Sequence, residues 1–485
     1  MKSDNKKTRT GYLLSNMALF TVSNFVSKLL VFFLVPFYTN VLTTSEYGTA
    51  DVFASALLLA VPLLSVNAGE AALRFGIENE KERGGILRSG LRRVLISAGV
   101  VFALGAAALF LPVRADLRVF AALFAMIYLC DALYEFMLLY CQGCENVKVM
   151  ITGSVSCTAI IIASNMVFLL VLHLGLYGYL FSQMAAYITS AVLMFFLIGG
   201  PKLLKQPENK ELQKEMFSYG RGMLLYSTSS WINNALDRFY ILLMLGTSSN
   251  GIYGAAYKIP AILMVFQRIF AQSFQMSATK SYKEKDSVKF FSKLYILYNA
   301  VMTSGCAVIL LFLAPLSAFM FRKGFSIAYY YVPFLLISVI FGALNGFLGS
   351  VCLAYKDPKS MGEATAAGAA LNMILNYVLI TFFGLIGAAA ATLASYFCMF
   401  AIAFVKTRRH VRLEINIIRD FGVYILLLAE GILSMRRIPY YYIYNLIIAL
   451  IIVIIYLKQI RENVINLLAK LKRKQGDRDN DIKTE

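Results

Sequence analysis

The sequence predicts an all-α polytopic membrane protein with about 14 transmembrane helices. The first observation is composition, because 59% of the 485 residues are hydrophobic and only 15% are charged, with a mean hydropathy of +0.67. These values lie far outside the balance of soluble domains. The second is that apolar windows of about 20 residues, the length that crosses the hydrocarbon core, recur along the whole chain.

The predicted spans follow one another with short connections, and the thirteenth is the shortest. They lie near residues 12–40, 48–73, 90–111, 117–140, 150–172, 175–199, 217–245, 250–277, 290–320, 328–354, 361–382, 385–405, 420–435 and 440–457. The first follows a basic tail and is too long for a cleavable signal peptide, so we interpret it as a span. Because no connection is long enough to form a separate domain, the functional residues are expected within the membrane.

Lysine and arginine residues fall mainly on alternate loops. The chain has 46 of them against 27 acidic residues, a formal net charge of +19. Clusters occupy both terminal tails and residues 74–93, 202–214, 280–293 and 406–419. By the positive-inside rule, both termini are predicted to be cytoplasmic. Attraction to anionic membrane lipids explains the net charge better than a nucleic-acid partner, and no nucleic acid is expected.

The sequence lacks motifs for catalysis or metal binding. It has two histidines and seven cysteines, and its one CxxC, "CQGC" at 141–144, has no second pair or nearby histidine. It also has no P-loop and no nucleophile elbow. We therefore expect no metal, cofactor or disulfide, and a transporter rather than an enzyme. A membrane polysaccharide polymerase or ligase is the alternative from another class, but it would be expected to show a large outward loop.

Ionisable residues inside the predicted spans are the candidate site. A charge at mid-bilayer costs at least about 2.5–3.5 kcal/mol and usually faces a bundle interior or a water-filled path. The cations that remain within spans are Lys28, Arg221, Arg238, Lys258 and Arg268. Two spans also carry polar faces at helical spacing, which include Asn24 and Lys28 in the first and Asn234 and Asp237 in the seventh. Hydrogen bonding between helices is the alternative role for these faces.

The cations are spread over the depth of the membrane. Arg268, Arg221 and the span-end Arg74 lie toward the cytoplasm, Lys28 lies near the middle, and Arg238 and Lys258 lie in the outer half. If they converge, they form a ladder along which an anionic headgroup can cross. Other roles remain open, since Arg74 has Glu70 four residues before it as an ion-pair partner, and Arg221 and Arg268 could snorkel to the inner interface. Asp237 and Arg238 point about 100° apart on a helix, so they need not pair with each other.

The chain also looks duplicated. Residues 23–58 align with 229–264, so that Tyr47 matches Tyr253 and Gly48 matches Gly254. Both segments have the pattern long span, polar hairpin, YG, long span, and they begin six spans apart. Parallel repeats of this kind are a transporter architecture. They predict an N-terminal lobe at 1–200, a C-terminal lobe at 201–410, two extra helices at 411–460 and a basic cytoplasmic tail at 461–485.

Two of these stretches resemble a known family. "LTTSEYGTADVF" after the first span and "LDRFYILLMLGTSSNGIYGAAYKIPAIL" across the seventh and eighth are similar to the polysaccharide-unit (Wzx-type) flippases of the multidrug/oligosaccharidyl-lipid/polysaccharide exporter superfamily. "KSYKEKD" at 280–286 and "GLIGAAAATLASY" at 384–396 extend the similarity. The resemblance implies a MATE-like fold of two pseudo-symmetric six-helix lobes plus two C-terminal helices, working by alternating access.

The resemblance also implies a substrate, an undecaprenyl diphosphate-linked oligosaccharide moved to the outer leaflet of a bacterial plasma membrane. Capsule, O-antigen or exopolysaccharide would be the product, with polysaccharide polymerase machinery as a partner. The substrate-binding residues would be Lys28, Arg74, Arg221, Asp237, Arg238, Lys258, Arg268, Asn24 and Asn234. The driving force stays open between the membrane potential and proton or sodium exchange at a carboxylate such as Asp237, Asp51 or Glu363. A multidrug exporter and a peptidoglycan-precursor flippase of the same superfamily are the alternatives.

Overall fold

The computed structural model describes residues 33–110, 115–207, 209–281, 286–355 and 357–457, and these residues form helices and short connections without a strand. Most of the predicted first span, with Asn24 and Lys28, lies outside the described residues, as does the predicted tail at 461–485. The described chain confirms the prediction of an all-α, multi-pass membrane fold.

The described helices follow one another along the chain with short connections. In order, they are α1 Val35–Val41, α2 Thr44–Leu64, α3 Ala68–Glu78, α4 Arg83–Phe110, α5 Ala115–Gly143, α6 Val147–Asn165, α7 Gly175–Leu197, α8 Gly200–Leu203, α9 Lys210–Ala256, α10 Pro260–Ser281, α11 Ser287–Leu311, α12 Leu313–Met320, α13 Val332–Ala354, α14 Pro358–Thr407, α15 Ile417–Arg436 and α16 Tyr441–Leu457. A π-helical turn, Met166–Val171, continues α6, and a 3₁₀ segment, Lys323–Tyr330, precedes α13.

Eight helices within the described residues are long and apolar enough to cross a membrane. The longest, α14, has 50 residues, about 75 Å of helix, which exceeds twice the roughly 30 Å hydrocarbon core. Gly384 breaks it with a φ of 59° and a ψ of −137°. This break falls between the two spans predicted at 361–382 and 385–405. The total of 14 spans stays a prediction.

The long helix α9 is divided in the same way. Its 47 residues contain one non-helical residue, Gly246, with a φ of 86° and a ψ of 175°. The break separates 210–245 from 247–256, where the sequence predicts a polar turn between spans seven and eight. Glycine adopts this backbone conformation without the steric cost that a Cβ would add.

The predicted second span, 48–73, is not one continuous helix. The helix α2 ends at Leu64 and α3 begins at Ala68, because Val66 and Asn67 adopt left-handed conformations with φ of 54° and 48°. Neither residue is a glycine, the residue that adopts such a conformation most easily. We call residues 65–67 the α2–α3 break.

The start of α2, by contrast, follows directly from the sequence. Thr43 accepts a hydrogen bond from the backbone N–H of Glu46, and the Glu46 carboxylate accepts one from the backbone N–H of Thr43 at 2.8 Å. This reciprocal capping box satisfies two amide groups that the first helical turn leaves without partners. It fixes where α2 begins and therefore which α2 residues face their neighbours.

The described helices group into two compact units. Of the described residues, the first unit consists of those up to Ala255 with Arg322–Phe325, and the second of those from Ala256 to Phe321 and from Ser326 to Leu457. In the first unit, α4, α5 and α7 surround buried aromatic residues such as Tyr128, whose hydroxyl donates to Ser97 Oγ at 2.8 Å. The predicted lobe limits at 1–200, 201–410 and 411–460 stay predictions.

The second unit is built around α13, which packs against α10, α11, α14 and α15. A buried hydrogen-bond network joins its two C-terminal helices to α11. The Tyr456 hydroxyl donates to Asp420 at 2.8 Å, and Asn299 of α11 donates to Tyr456 at 3.0 Å and accepts from Tyr424 at 3.0 Å. Buried polar groups with such partners avoid the penalty of unpaired polar atoms, so the network ties α15 and α16 to this unit.

Candidate substrate site

The centre of the site is the guanidinium of Arg238 in α9. Its Nε donates to Asp51 Oδ2 at 2.8 Å, and its Nη1 donates to the Asn234 carbonyl at 2.8 Å and lies 3.3 Å from Asp237 Oδ1. The side chains of Arg238, Asp51 and Asp237 are 12%, 13% and 5% exposed. A cation and two carboxylates are therefore held together, largely buried, in a membrane helix pair.

The contact between Asp237 and Arg238 differs from the expectation that neighbouring side chains need not pair. Arg238 extends back along α9 to the Asn234 carbonyl, one turn earlier in the helix. This path brings Nη1 beside Asp237, which also accepts from the backbone N–H of Arg238 at 2.9 Å. The length and flexibility of the arginine side chain overcome the angular separation on the helix.

Asp51 reaches Arg238 because the two backbones approach closely. Asp51 lies seven residues into α2 from Thr44, and a Cβ on Gly254 would be 2.9 Å from its carboxyl carbon. A larger residue at 254 would push the carboxylate away. The sequence suggested Asp51 as a carboxylate for ion coupling; the structure shows it as the ion-pair partner of Arg238.

Further contacts extend this pair into a polar stripe. Trp231 Nε1 donates to the Ser55 carbonyl at 2.7 Å, Ser227 Oγ donates to Asn67 Oδ1 at 2.9 Å, and Asn67 Nδ2 donates to the Gly220 carbonyl at 3.2 Å. The contacting α9 positions are 220, 227, 231 and 238, whose spacing keeps them on one helix face. We call this row of contacts the α2–α9 stripe.

At the predicted outer end of the stripe, the backbones of Gly48 and Gly251 meet. A Cβ on Gly48 would overlap the Thr247 carbonyl, and a Cβ on Gly251 would overlap the Thr44 carbonyl. Thr44 Oγ1 and Ser248 Oγ share a hydrogen bond of 2.8 Å. Ser45 Oγ and Thr247 Oγ1 share another of 2.8 Å. "TSEYG" at 44–48 and "TSSNG" at 247–251 thus cross with local two-fold symmetry.

This crossing involves the two segments that the sequence identified as repeats, but with a different register. The sequence alignment pairs Gly48 with Gly254, whereas the local symmetry of the crossing pairs Gly48 with Gly251. Gly254 instead lies against Asp51. Each glycine of "NGIYG" therefore has its own close contact, one with backbone and one with the charged centre.

The sequence pattern of the family described as "Polysaccharide biosynthesis protein" matches residues 13–279, more than half of the chain. The chain belongs to this family. The matched region contains α2, the α2–α3 break and all of the α2–α9 stripe.

Individual relatives agree with this assignment. The probable low-salt glycan biosynthesis flippase Agl15 of Haloferax volcanii is 28% identical over 201 residues, 40% of this chain and 41% of that protein. The match thus spans about two fifths of that curated relative. An uncharacterized membrane protein of Methanocaldococcus jannaschii is 26% identical over 289 residues, 56% of this chain and 68% of that protein.

Solved structures show the fold of this polysaccharide biosynthesis protein. The lipid II flippase MurJ in an inward closed conformation superposes with a TM-score of 0.66, at 14% identity, over 92% of this chain and all of that chain. An inward-facing multidrug resistance MATE transporter of the MOP superfamily gives 0.63, at 12% identity, over 82% of this chain and 95% of that chain. The predicted MATE-like fold is confirmed.

The structure places the remaining predicted site residues of this family member in different surroundings. Arg221 is exposed in the first unit, and Arg268 is exposed and Lys258 partly buried in the second. Within the described chain, the side chains of these three cations make no hydrogen bond or ion pair. Asn234 is exposed, and its side chain donates to the Ser230 carbonyl at 2.6 Å. Lys28 and Asn24 lie outside the described residues.

Arg74 is paired, but not with the residue considered in the sequence. Its Nη2 lies 2.8 Å from Glu78, and the two side chains are 55% and 48% exposed. Glu70, Arg74 and Glu78 all lie in α3, and the Arg74 side chain extends toward the C-terminal end of the helix rather than back to Glu70. Of the two roles left open for Arg74, an ion pair is present, but its partner is Glu78 and not Glu70. A pair this exposed contributes little stability, which leaves Arg74 available to a ligand.

Glu363, the third carboxylate considered for ion coupling, is also paired. It accepts from Lys406 within α14, from the opposite side of the Gly384 break. Within the described residues, no group of three or more histidine, cysteine, aspartate or glutamate side chains is placed to hold a metal ion. A pocket in the second unit is lined mainly by aromatic and aliphatic residues, and none of the predicted substrate residues lines it.

One residue near the stripe was missed by the sequence reasoning. Arg93 belongs to the cation cluster at 74–93 and also falls just inside the span predicted at 90–111; the structure places it ten residues into α4, which begins at Arg83. Its Nη1 donates to the Val66 carbonyl at 3.4 Å. The helix starts seven residues before the predicted span, in the mixed segment "RGGILRS" at 83–89, because hydropathy alone does not detect a helix that begins outside the apolar core.

Proposed function

We propose that this protein is a lipid-linked oligosaccharide flippase that moves undecaprenyl diphosphate-linked polysaccharide units from the cytoplasmic to the outer leaflet by alternating access. The observation that carries the proposal is the partly buried Arg238 between Asp51 and Asp237 on the α2–α9 stripe. Membership of the polysaccharide biosynthesis family and the similarity to a probable glycan biosynthesis flippase support it.

The charged centre is suited to bind and release a phosphate group. Guanidinium binds carboxylates and phosphates with the same planar set of donors. A diphosphate can therefore replace Asp51 at Arg238 without a change in the type of hydrogen bond. When the substrate leaves, Asp51 returns as an internal anion, which avoids leaving an unpaired cation in the membrane.

This exchange provides a route for ion coupling. Once a diphosphate displaces Asp51, the freed carboxylate is costly to keep charged inside the membrane. Uptake of a proton or a sodium ion at Asp51 would remove that cost and couple the ion to substrate binding. The membrane potential acts in the same direction, since outward movement of an anion gains about 2.3 kcal/mol per charge per 100 mV across an inside-negative membrane.

The remaining parts of the proposal follow from this role. The site of action is the bacterial plasma membrane, with both termini cytoplasmic and a basic surface facing anionic lipids. Polar side chains such as Asn234 and Tyr226, both exposed on α9, would contact the sugars. The transported units would be polymerised into capsule, O-antigen or exopolysaccharide by separate polymerase machinery.

The test is flipping of a fluorescent undecaprenyl diphosphate-oligosaccharide in proteoliposomes. Wild type is compared with Arg238→Ala and with Arg412→Ala, a control arginine exposed on the segment after α14. We expect loss of flipping in Arg238→Ala and wild-type rates in the control, at matched folding and reconstitution. A wild-type protein that does not flip the substrate under any ion gradient would contradict the proposal.

A multidrug exporter is the second candidate, because the centre has two carboxylates for one guanidinium and so can also attract a cation. The same proteoliposomes distinguish the two functions. Uptake of a cationic dye that is abolished by Asp237→Asn, without flipping of the lipid-linked oligosaccharide, would favour the exporter. A peptidoglycan-precursor flippase would instead show preference for lipid II in competition.

A further inference from the structure

Arg93 has an unusual hydrogen-bonding environment. Its Nη1 makes a long bond of 3.4 Å to the Val66 carbonyl, a neutral acceptor. Its Nε and Nη2 are screened from solvent and have no hydrogen-bond partner in the part of the chain that the structure describes, although the residue as a whole is only partly buried. An arginine cannot lose its charge in a protein to relieve this. Such orphaned donors are costly and call for an explanation.

Backbone atoms of the α2–α3 break and of α9 lie beside the Arg93 guanidinium. Gly220 of α9 lies against the Val66 carbonyl so closely that a Cβ would overlap it, and the same Cβ would be 3.5 Å from Arg93 Nη1. Two hydrogen bonds hold this cover, from Asn67 to the Gly220 carbonyl at 3.2 Å and from Ser227 to Asn67 at 2.9 Å. We call Val66, Asn67, Gly220 and Ser227 the inner latch.

The latch lies next to a second cation at a similar depth. Arg221 follows Gly220 directly, is exposed, and makes no ion pair within the described residues. Arg93 is ten residues after the start of α4 and Gly220 is ten residues after the start of α9, about 15 Å along each helix. Movement of 219–227 away from the α2–α3 break would uncover one guanidinium beside another.

We propose that Arg93 is an anion ligand at the predicted cytoplasmic end of the α2–α9 stripe, covered by the inner latch in this conformation and exposed when the latch opens. Together with Arg221 it binds a phosphate or diphosphate group with charge-assisted hydrogen bonds. The identification of that group as part of the transported lipid rests on the proposed function. The Nε and Nη2 groups of Arg93, which lack partners in this conformation, then bind the phosphate in the conformation in which the latch is open.

The first test reads the exposure and ligand contact of Arg93 without transport. Purified full-length protein carrying Asn67→Cys and Ser227→Cys is treated with phenylglyoxal. Modification of Arg93 is followed by mass spectrometry, with the latch either bridged by a short thiol cross-linker or unbridged and free to open. We expect bridging to slow modification of Arg93 about tenfold. This factor corresponds to a free energy of about one net hydrogen bond for keeping the latch closed. Exposed Arg92, the adjacent residue on α4, is the internal control and is modified equally in both forms.

The same labelling identifies the ligand. Undecaprenyl diphosphate is expected to slow modification of Arg93 about tenfold in the unbridged protein, because one charge-assisted hydrogen bond corresponds to at least about a factor of ten. Uncharged undecaprenol is expected to give no protection. Equal modification of Arg93 in bridged and unbridged protein, or equal modification with and without the diphosphate, would overturn the inference and make Arg93 a structural support of the Val66 carbonyl.

Transport separates this inference from the proposed function. Arg93→Gln is expected to slow flipping at least about tenfold, and Arg92→Gln to leave it unchanged. A wild-type protein that flips the lipid-linked oligosaccharide while Arg93→Gln does so at the same rate contradicts the inference alone. Protection of Arg93 by the diphosphate in a wild-type protein that flips no substrate supports the anion site and contradicts the proposed function. If Arg93→Gln fails to fold, the labelling of the unbridged protein still tests the inference, because that protein retains Arg93.

Discussion

Gly48 and Gly251 pack backbone against backbone where "TSEYG" and "TSSNG" cross. Each glycine faces a carbonyl of the other segment, and paired threonine and serine hydroxyls flank the contact. Three residues further along α2, Asp51 meets Arg238. The close approach at the crossing therefore positions the charged centre as well as joining the two segments.

A side chain at either glycine should separate them. Gly48→Ala and Gly251→Ala are each expected to lower the free energy of unfolding by about 1–3 kcal/mol, the usual cost of overpacking. Thermal unfolding in detergent measures this. Gly222→Ala is the control, because a Cβ there meets no atom within 4 Å and the change in an α-helix favours folding by roughly 0.5–1 kcal/mol. Equal stability of all three variants would show that the crossing is looser than described.

The pairing of Asp51 with Arg238 can be measured by a double-mutant cycle. Asp51→Asn retains the size of the side chain but removes one of the two carboxylates beside the Arg238 guanidinium, so the free energy of unfolding should fall by about 1–3 kcal/mol. Arg238→Gln in the Asp51→Asn background should cost less than in wild type, with a coupling of about 0.5–3 kcal/mol. Additive effects would mean that the two groups do not interact in solution.

Trp231 provides an internal probe of the α2–α9 stripe, because it is the single tryptophan of the chain and donates to the Ser55 carbonyl. Binding of undecaprenyl diphosphate at Arg238 is expected to change the intensity or wavelength of its fluorescence, since the two residues lie two turns apart on one face. The change should be absent in Arg238→Ala. Trp231→Phe should destabilise the protein by about 1 kcal/mol through loss of the donor.

A polar contact outside the spans should respond to pH. Asp357, before α14, accepts from Ser360 and lies 2.8 Å from His410 Nε2, and the hydrogen bond from the Ser360 side chain, followed by that from His410, holds the pKa of Asp357 well below its ordinary range. A carboxyl with a depressed folded-state pKa contributes stability above its unfolded pKa, and this is lost as pH falls through the folded value.

We therefore expect amide hydrogen exchange at 355–361 and 407–411 to accelerate as pH falls below about 4, after correction for the intrinsic pH dependence of exchange. Asp357→Asn should remove this extra acceleration and leave exchange in α4 unchanged. Persistence of the acceleration in Asp357→Asn would assign it to another group.

Much of the fold was accessible from local sequence patterns. Apolar windows of span length predicted the multi-pass helical fold, and the glycines at 246 and 384 mark the divisions between predicted neighbouring spans. The capping box at Thr43 and Glu46 is likewise a local signal. The span prediction succeeds, and the cap and the two glycines are local features, because transfer into a membrane, helix capping and backbone freedom at glycine are determined within one or two turns of chain.

The site required the tertiary structure. Asp237 and Arg238 are recognisable as unusual from the sequence, because charged side chains within a predicted membrane span are costly and rare. Their partner Asp51 is 187 residues away from Arg238, the break at Val66 and Asn67 has no glycine to indicate it, and Arg93 became part of the site only where Gly220 covers it. Hydropathy determines which segments enter the membrane, but ion pairing depends on which helices lie side by side and at what depth, and that is decided by packing between distant parts of the chain.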